Sequence, residues 1–210
     1  MTFTMPDLTE FAALTTSRLV FYPSVLYNVV RSRVQSDWNW YNEITPNVIL
    51  GALPSKSTLA ELKDLGVSAV VTLNQPHELF VQPAEYTALG FAHLWLRTTD
   101  YLYAPNLEEL HQGVAFIAGK MANTLLPCAP YDSPSHSEHV ARQTKVYVHC
   151  KAGRGRSTTL VLCWLVSTGM GVDEAWSLVL GKRPQVCLAT AQWAAVRAFA
   201  DDWAKRGEKQ

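Results

Sequence analysis

Charge is scarce in this chain, and neither sign prevails. Eighteen Lys and Arg balance eighteen Asp and Glu over 210 residues, so the formal net charge at neutral pH is zero. No global field draws the protein onto nucleic acid, which is not expected as a partner, and recognition of an anion has to be built locally. Cysteine is scarce too. Cys128, Cys150, Cys163 and Cys187 include no Cys-x-x-Cys pair and no cluster at zinc-ligand spacing. That argues against a disulfide framework and suits a reducing compartment. No apolar run reaches the roughly 18 residues of a membrane span. The longest, "LVFYPSVLYNVV" (19–30), is short, contains Pro23 and has arginines on both flanks. "MTFTMPDLTE" lacks the basic start of a secretory signal, so none is expected. Internal repeats are absent as well.

What is present reads as one α/β domain, with a central, mostly parallel sheet and helices on both faces. Hydrophobic content is 48%, enough for a sizeable core at this length. Strands are predicted at 48–52, 67–74, 91–97 and 145–149 from β-branched or apolar runs bounded by turn residues. Helices are predicted at 55–66, 106–126, 157–169, 172–183 and 190–206, the second capped by Asn106. Strands alternating with helices give this fold class. Residues 1–16 read as loosely structured, with Pro6-Asp7 able to open a short helix. Residues 1–36 form an N-terminal extension that could target the protein or touch a membrane, and 37–206 form the α/β domain. The basic, aromatic 17–35 segment either lies on a membrane surface or packs on the core. The Pro/Ser-rich stretch 127–144 reads as a surface loop.

The chemistry gathers in "VYVHCKAGRGRS" (147–158). Cys150 ends a strand and Arg156 opens a helix. Between them, Lys151, Ala152, Gly153, Arg154 and Gly155 can curl so that successive amides point to one centre, a concave anion nest. The two glycines permit backbone angles and close approaches that a side chain blocks. The helix N-terminus adds positive character, and Arg156 supplies a planar fork matching two phosphate oxygens. Such surroundings hold a tetrahedral dianion. They also lower a cysteine pKa from about 8.5 into the roughly 3.5–7.5 range, which makes the thiol a nucleophile. His149 is expected to orient the loop from beneath, and Ser157 to hydrogen-bond the sulfur and help it leave. The alternative is a buried cysteine beside a snorkelling arginine. His-Cys-x-x-Gly-x-x-Arg-Ser between a strand and a helix arises by chance in fewer than roughly one chain in ten thousand, which favours the catalytic reading.

Cleaving a phosphate ester also requires a proton donor for the departing oxygen. Asp100, in "LRTTDYLYAPNLEEL", follows a strand and precedes a helix, so its loop is placed to face Cys150. Glu78 and Asp132 are its rivals. With Arg156 and the loop amides stabilising charge, no metal and no cofactor are expected. Lys151 and Arg154 either suit a substrate with more than one phosphate or face solvent. Arg183 either reaches a second phosphate or sits as a favourable cation at a helix C-terminus.

These residues resemble the signature of cysteine-dependent dual-specificity phosphatases, in the protein tyrosine phosphatase superfamily. "FYPSVLYNVVR", "WNWYNEITPNVILGALPSKS", "TTDYLYAPNLEEL" and "KRPQVCLATAQWAAV" narrow the resemblance to the mitochondrial phosphatidylglycerophosphate phosphatase branch, over about residues 18–200. The resemblance implies Cys150 as nucleophile, Arg156 as phosphate clamp and Asp100 as general acid. Glu78 then stands at an acidic position of a pocket-shaping loop, although Gln75-Pro76-His77-Glu78 departs from the family's more acidic version. It further implies an anionic phospholipid substrate met at a membrane surface and an address on the matrix side of the mitochondrial inner membrane, with cytoplasm as the alternative; a monomer is expected. A phosphoinositide or phosphoprotein phosphatase is the rival within the class. A silent phosphate-binding module is the rival outside it, although such modules lose the cysteine, arginine or acid that this chain keeps.

Overall fold

The structure is a computed structural model describing residues 8–35, 38–99, 103–122 and 144–207, with side chains in the first helix described from Phe21 onward. Five strands form one sheet: β1 (Tyr41–Thr45), β2 (Val48–Gly51), β3 (Val67–Thr72), β4 (Ala92–Trp95) and β5 (Lys145–His149). Their order is β1-β2-β5-β3-β4. Only the β1–β2 pair is antiparallel; β2, β5, β3 and β4 run parallel. Central β5 is flanked on both sides, and its last four residues are buried, as its continuous apolar pattern demands.

Seven helices complete the described fold: α1 (Leu8–Val34), α2 (Lys56–Asp64), α3 (Pro83–Ala88), α4 (Leu107–Ala122), α5 (Arg156–Ser167), α6 (Val172–Lys182) and α7 (Thr190–Gly207). On one face, Leu59 and Leu62 of α2 and Tyr86 of α3 pack with Ile49, Val70 and Tyr147 of the sheet. On the other, α4, α5, α6 and α7 bury the alternate residues Val48, Leu50, Val71 and Val148. α5 lies deepest, with the ten residues Arg156–Leu165 buried. Each fully buried Leu or Val there contributes about 1.5–3 kcal/mol. Gly113 lets α4 approach α5: a Cβ at that position would lie 2.5 Å from Leu160 Cδ1.

Several expectations need revision. Residues 8–16 belong to α1, a helix of 27 residues that carries Pro23 in its interior, where a loosely structured stretch was expected. β1, α3 and a short 3₁₀ turn at Pro76–Glu78 had no counterpart in the sequence reading. Both Gln-Pro-x-Glu segments start helical turns in the same way. Gln75 N donates to Glu78 Oε2, and Gln82 N to Glu85 Oε2, each at 2.8 Å, with proline at the first helical position where its missing N–H costs nothing. The stretch 127–143 lies outside the described residues.

Candidate active site

The parallel strands β3 and β5 end side by side, with Thr72 opposite His149. Loops leaving a sheet at that end form the usual binding crevice of an open α/β fold. Here the crevice is built from the loop between β5 and α5. The outward bonds of this loop explain its shape. The Cys150 carbonyl lies 3.3 Å from His149 Nδ1. The Lys151 carbonyl accepts from Leu53 N, and the Arg154 carbonyl from Cys187 N. The carbonyls of Ala152 and Gly153 accept from Arg183 Nη2 and Nε at 3.0 and 2.8 Å. The Gly155 carbonyl accepts from Thr159 N inside the helix. Successive carbonyls spent outward leave the amide N–H groups for the concave side, which is how a backbone nest forms.

Glycine relieves a close approach at two points of this loop. Gly153 has φ +65°, and a Cβ there would run into the Gly51 carbonyl of β2. Gly155 has ordinary φ, but a Cβ would come within 2.7 Å of Gln192 Oε1. Gln192 in turn accepts from Ala189 N and donates to the Tyr103 carbonyl at 3.2 Å, tying α7 to the chain before α4. Nothing in the sequence reading singled out Gln192.

Cys150 is buried at the base of the loop, and Ser157 Oγ donates to its sulfur at 3.2 Å. Arg156 is 1% exposed, and so is Glu78. The two form a bidentate pair: Nη1 to Oε2 at 2.7 Å and Nη2 to Oε1 at 3.0 Å. Nη1 also donates to the carbonyls of Leu73, just beyond β3, and Thr98, beyond β4. The guanidinium is therefore held in one plane by the ends of two strands and by a carboxylate that the Gln75 amide itself orients. With its carboxylate committed to this pair, Glu78 holds the guanidinium in place.

Arg183 is likewise engaged by acceptors of the protein. Besides its two bonds to the loop, it donates to the Asn39 carbonyl and to Asn42 Oδ1. Burial lowers it to about 10, so it remains cationic at neutral pH and braces the outer wall of the loop. Lys151 is largely buried. Arg154 donates from Nε to the Gln185 carbonyl at 2.8 Å, and its guanidinium lies 5.4 Å from the Trp38 ring. Asp100, Asp132 and Cys128 lie outside the described residues. Both neighbouring segments of Asp100 are tied to the site, Thr98 by Arg156 and Tyr103 by Gln192. Cys163 is in the core, where burial pushes its thiol far up, leaving it inert.

Beneath the loop runs a buried polar chain. His93 Nε2 lies 2.9 Å from Thr72 Oγ1, Thr72 Oγ1 lies 2.8 Å from His149 Nε2, and the Tyr86 hydroxyl is 3.3 Å from that same nitrogen. With Nδ1–H of His149 facing the Cys150 carbonyl, Nε2 accepts from Thr72, whose oxygen accepts from His93. Burial pushes His149 down to about 3 and His93 down to about 4, so both are neutral in the folded state. Unfolded histidine binds a proton near 6.5. The stability from this pair is thus fully present above about pH 6.5 and lost as pH falls toward the folded values. The melting temperature is expected to drop from about pH 7 to about pH 4.5, and His93→Gln to flatten that dependence. An unaltered slope in the variant would show that His93 is not held neutral.

A pocket of about 300 Å³ opens beside the loop, between Lys151, Arg154 and Gln192 on one side and Ser24, Tyr27 and Asn28 of α1 on the other.

Residues 137–202 match the family described as dual specificity phosphatase, catalytic domain. The human phosphatidylglycerophosphatase and protein-tyrosine phosphatase 1 is 36% identical over 200 residues, covering 92% of this chain and 90% of its own length. The chain belongs to this family of cysteine-dependent dual-specificity phosphatases. Phosphatidylglycerophosphate phosphatase PTPMT1 of Arabidopsis thaliana is 41% identical over 181 residues, 86% of this phosphatase, which spans about half (48%) of that relative's length. A crystal structure of PTPMT1 in complex with PI(5)P superposes with a TM-score of 0.69 at 29% identity, covering 80% of this phosphatase and 99% of that chain. The mixed five-stranded sheet with helices on both faces is the fold of these neighbours, and the phosphatase is of the cysteine-based type.

Proposed function

We propose that the protein hydrolyses phosphatidylglycerophosphate to phosphatidylglycerol through a phosphocysteine on Cys150. The observation that carries the chemistry is the 150–156 loop, with its carbonyls bonded outward, the thiol at its base and the guanidinium locked at its rim. The named activity of relatives similar over most of the chain supports the substrate.

In the first step Cys150 Sγ attacks phosphorus and the bond from phosphorus to the glycerol oxygen breaks. Asp100 gives that oxygen its proton, as the anchoring of the flanking Thr98 and Tyr103 supports. Arg156 and the loop amides stabilise the equatorial oxygens. In the second step Asp100, now a carboxylate, takes a proton from water, the water oxygen bonds to phosphorus as the S–P bond breaks, and inorganic phosphate leaves. The Ser157 hydroxyl steadies the departing thiolate. Asp100→Ala is expected to slow lipid turnover by about 10²–10⁴-fold and an aryl phosphate with a good leaving group far less. Equal slowing of both would take the proton-donor role from Asp100.

The substrate lies in a lipid surface, and among the described residues no helix is long and apolar enough to cross a membrane. The same reading assigns the protein to the mitochondrion, on the matrix face of the inner membrane. A phosphoinositide is the second candidate, favoured by the solved relative that holds PI(5)P. Phosphate release without added metal, from micellar phosphatidylglycerophosphate, PI(5)P, a phosphotyrosine peptide and an aryl phosphate, separates them. The proposal expects the highest kcat/KM on phosphatidylglycerophosphate. A better or equal rate on PI(5)P or the peptide discards that substrate and leaves the thiolate chemistry standing.

A further inference from the structure

From Phe21 onward, α1 packs against the other described residues along one side. Phe21 is buried with its ring edge-on to His77 and Phe80, and Ser24, Tyr27 and Asn28 line the pocket beside the phosphate loop. Among the described residues the other side of this stretch is apolar and exposed. Tyr22, Leu26, Val30 and Val34 recur every fourth residue and are 72%, 64%, 51% and 78% exposed. At 1.5 Å rise per residue they make a stripe about 18 Å long. Single exposed apolar residues are ordinary, whereas four in register on one helix form a contiguous patch of the kind that binds something.

Charge says what it binds. From Phe11 to Ser36 the chain contains Arg18, Arg31 and Arg33 and no acidic residue, in a protein whose net charge is zero. Arg31 of α1 and Arg154 of the phosphate loop both lie over the Trp38 ring, at 4.8 and 5.4 Å, so the helix and the loop bring cations to one place at the rim of the site. An apolar stripe bordered by arginines is the pattern of a helix lying in the interface of an anionic bilayer.

We propose that α1 docks this protein on an anionic lipid surface, with Tyr22, Leu26, Val30 and Val34 in the interfacial layer and Arg31 and Arg33 among the headgroups. Because the opposite side of the same helix walls the pocket, docking holds the phosphate loop one helix diameter, about 10 Å, from the lipid surface. The purpose of this arrangement rests on the lipid-phosphatase reading above; its occurrence does not.

The test uses the full chain as Cys150→Ser, sedimented with substrate-free vesicles of phosphatidylcholine alone or mixed with phosphatidylglycerol. Binding to the mixed vesicles, weakened by salt and reduced on the order of tenfold by Leu26→Asp at an unchanged melting temperature, is the expected result. Val30→Asp repeats the test should Leu26→Asp fold poorly. Absence of binding, or binding indifferent to both substitutions, overturns the proposal. So does a dimer in sedimentation velocity that either substitution dissolves, because the stripe would then be an interface between copies. If vesicle binding follows the stripe while micellar phosphatidylglycerophosphate is not hydrolysed, docking stands and the substrate reading falls.

Discussion

Cys150→Ser is expected to reduce phosphate release by at least about 10⁴-fold while phosphate binding survives. A serine hydroxyl is not ionised near neutral pH, so the nucleophile is lost. The cradle is not, because its shape depends on bonds that do not involve the sulfur: Leu53 N, Arg183 and Cys187 N to the loop carbonyls. Single-turnover assays with an aryl phosphate measure the first quantity and calorimetric titration with inorganic phosphate the second. Turnover within tenfold of the parent enzyme would remove Cys150 from the reaction. Loss of phosphate binding along with turnover would mean that the thiol shapes the cradle as well.

Removing Glu78 is expected to have the second-largest effect, on stability and rate together. Its carboxylate pairs with a guanidinium that is 0% exposed in its side chain, at 2.7 Å. Glu78→Ala leaves that cation buried without its counter-charge, which costs about 3–5 kcal/mol. Arg156 would also lose the partner that fixes its plane, and displacement of a catalytic group by about 1 Å costs on the order of 10²-fold in rate. Glu78→Gln keeps the size and part of the hydrogen bonding, so its stability loss should be smaller. The positioning role makes a separate prediction for Glu78→Gln. Aryl phosphates and lipid should slow by the same factor, because Arg156 serves both equally. A variant that slows only substrates with poor leaving groups would identify Glu78 as a proton donor instead.

The signature loop was legible because its chemistry is written in consecutive residues. Cys150, the two glycines, Arg156 and Ser157 follow one another, and the expected bond from Ser157 to the sulfur is present. The buried strand β3 was legible from its continuous β-branched run, β5 from its strand character, and α4 from its Asn106 cap, whose Oδ1 accepts from Glu109 N. β1 was not, because it is an edge strand with only Ile44 buried, and "YNEIT" carries no apolar alternation strong enough to declare itself. The supports of the loop were illegible for a different reason. Glu78 and Arg156 are 78 positions apart, and Arg183 is 141 from Asn42. Such pairs depend on which strands become neighbours, and nothing local encodes them. A signal did exist at Glu78. The Gln-Pro-x-Glu pattern at 75–78 repeats at 82–85, and reading it as a capping device would have shown its glutamate turned back toward the backbone rather than out to solvent. Thr72, Tyr86 and His93 likewise come from three separate elements and meet only beneath the folded loop.

The central claim is a covalent phosphoryl group on Cys150, and the most direct measurement is to trap it. Asp100→Ala slows breakdown of the intermediate as well as its formation. Mixing that variant with an aryl phosphate, quenching in acid within the first turnover and mapping peptides by mass should therefore find one added phosphoryl group on the peptide carrying Cys150, absent in Cys150→Ser. Stoichiometric release of phosphate with no such adduct at any quench time, while the protein remains active, would contradict the account.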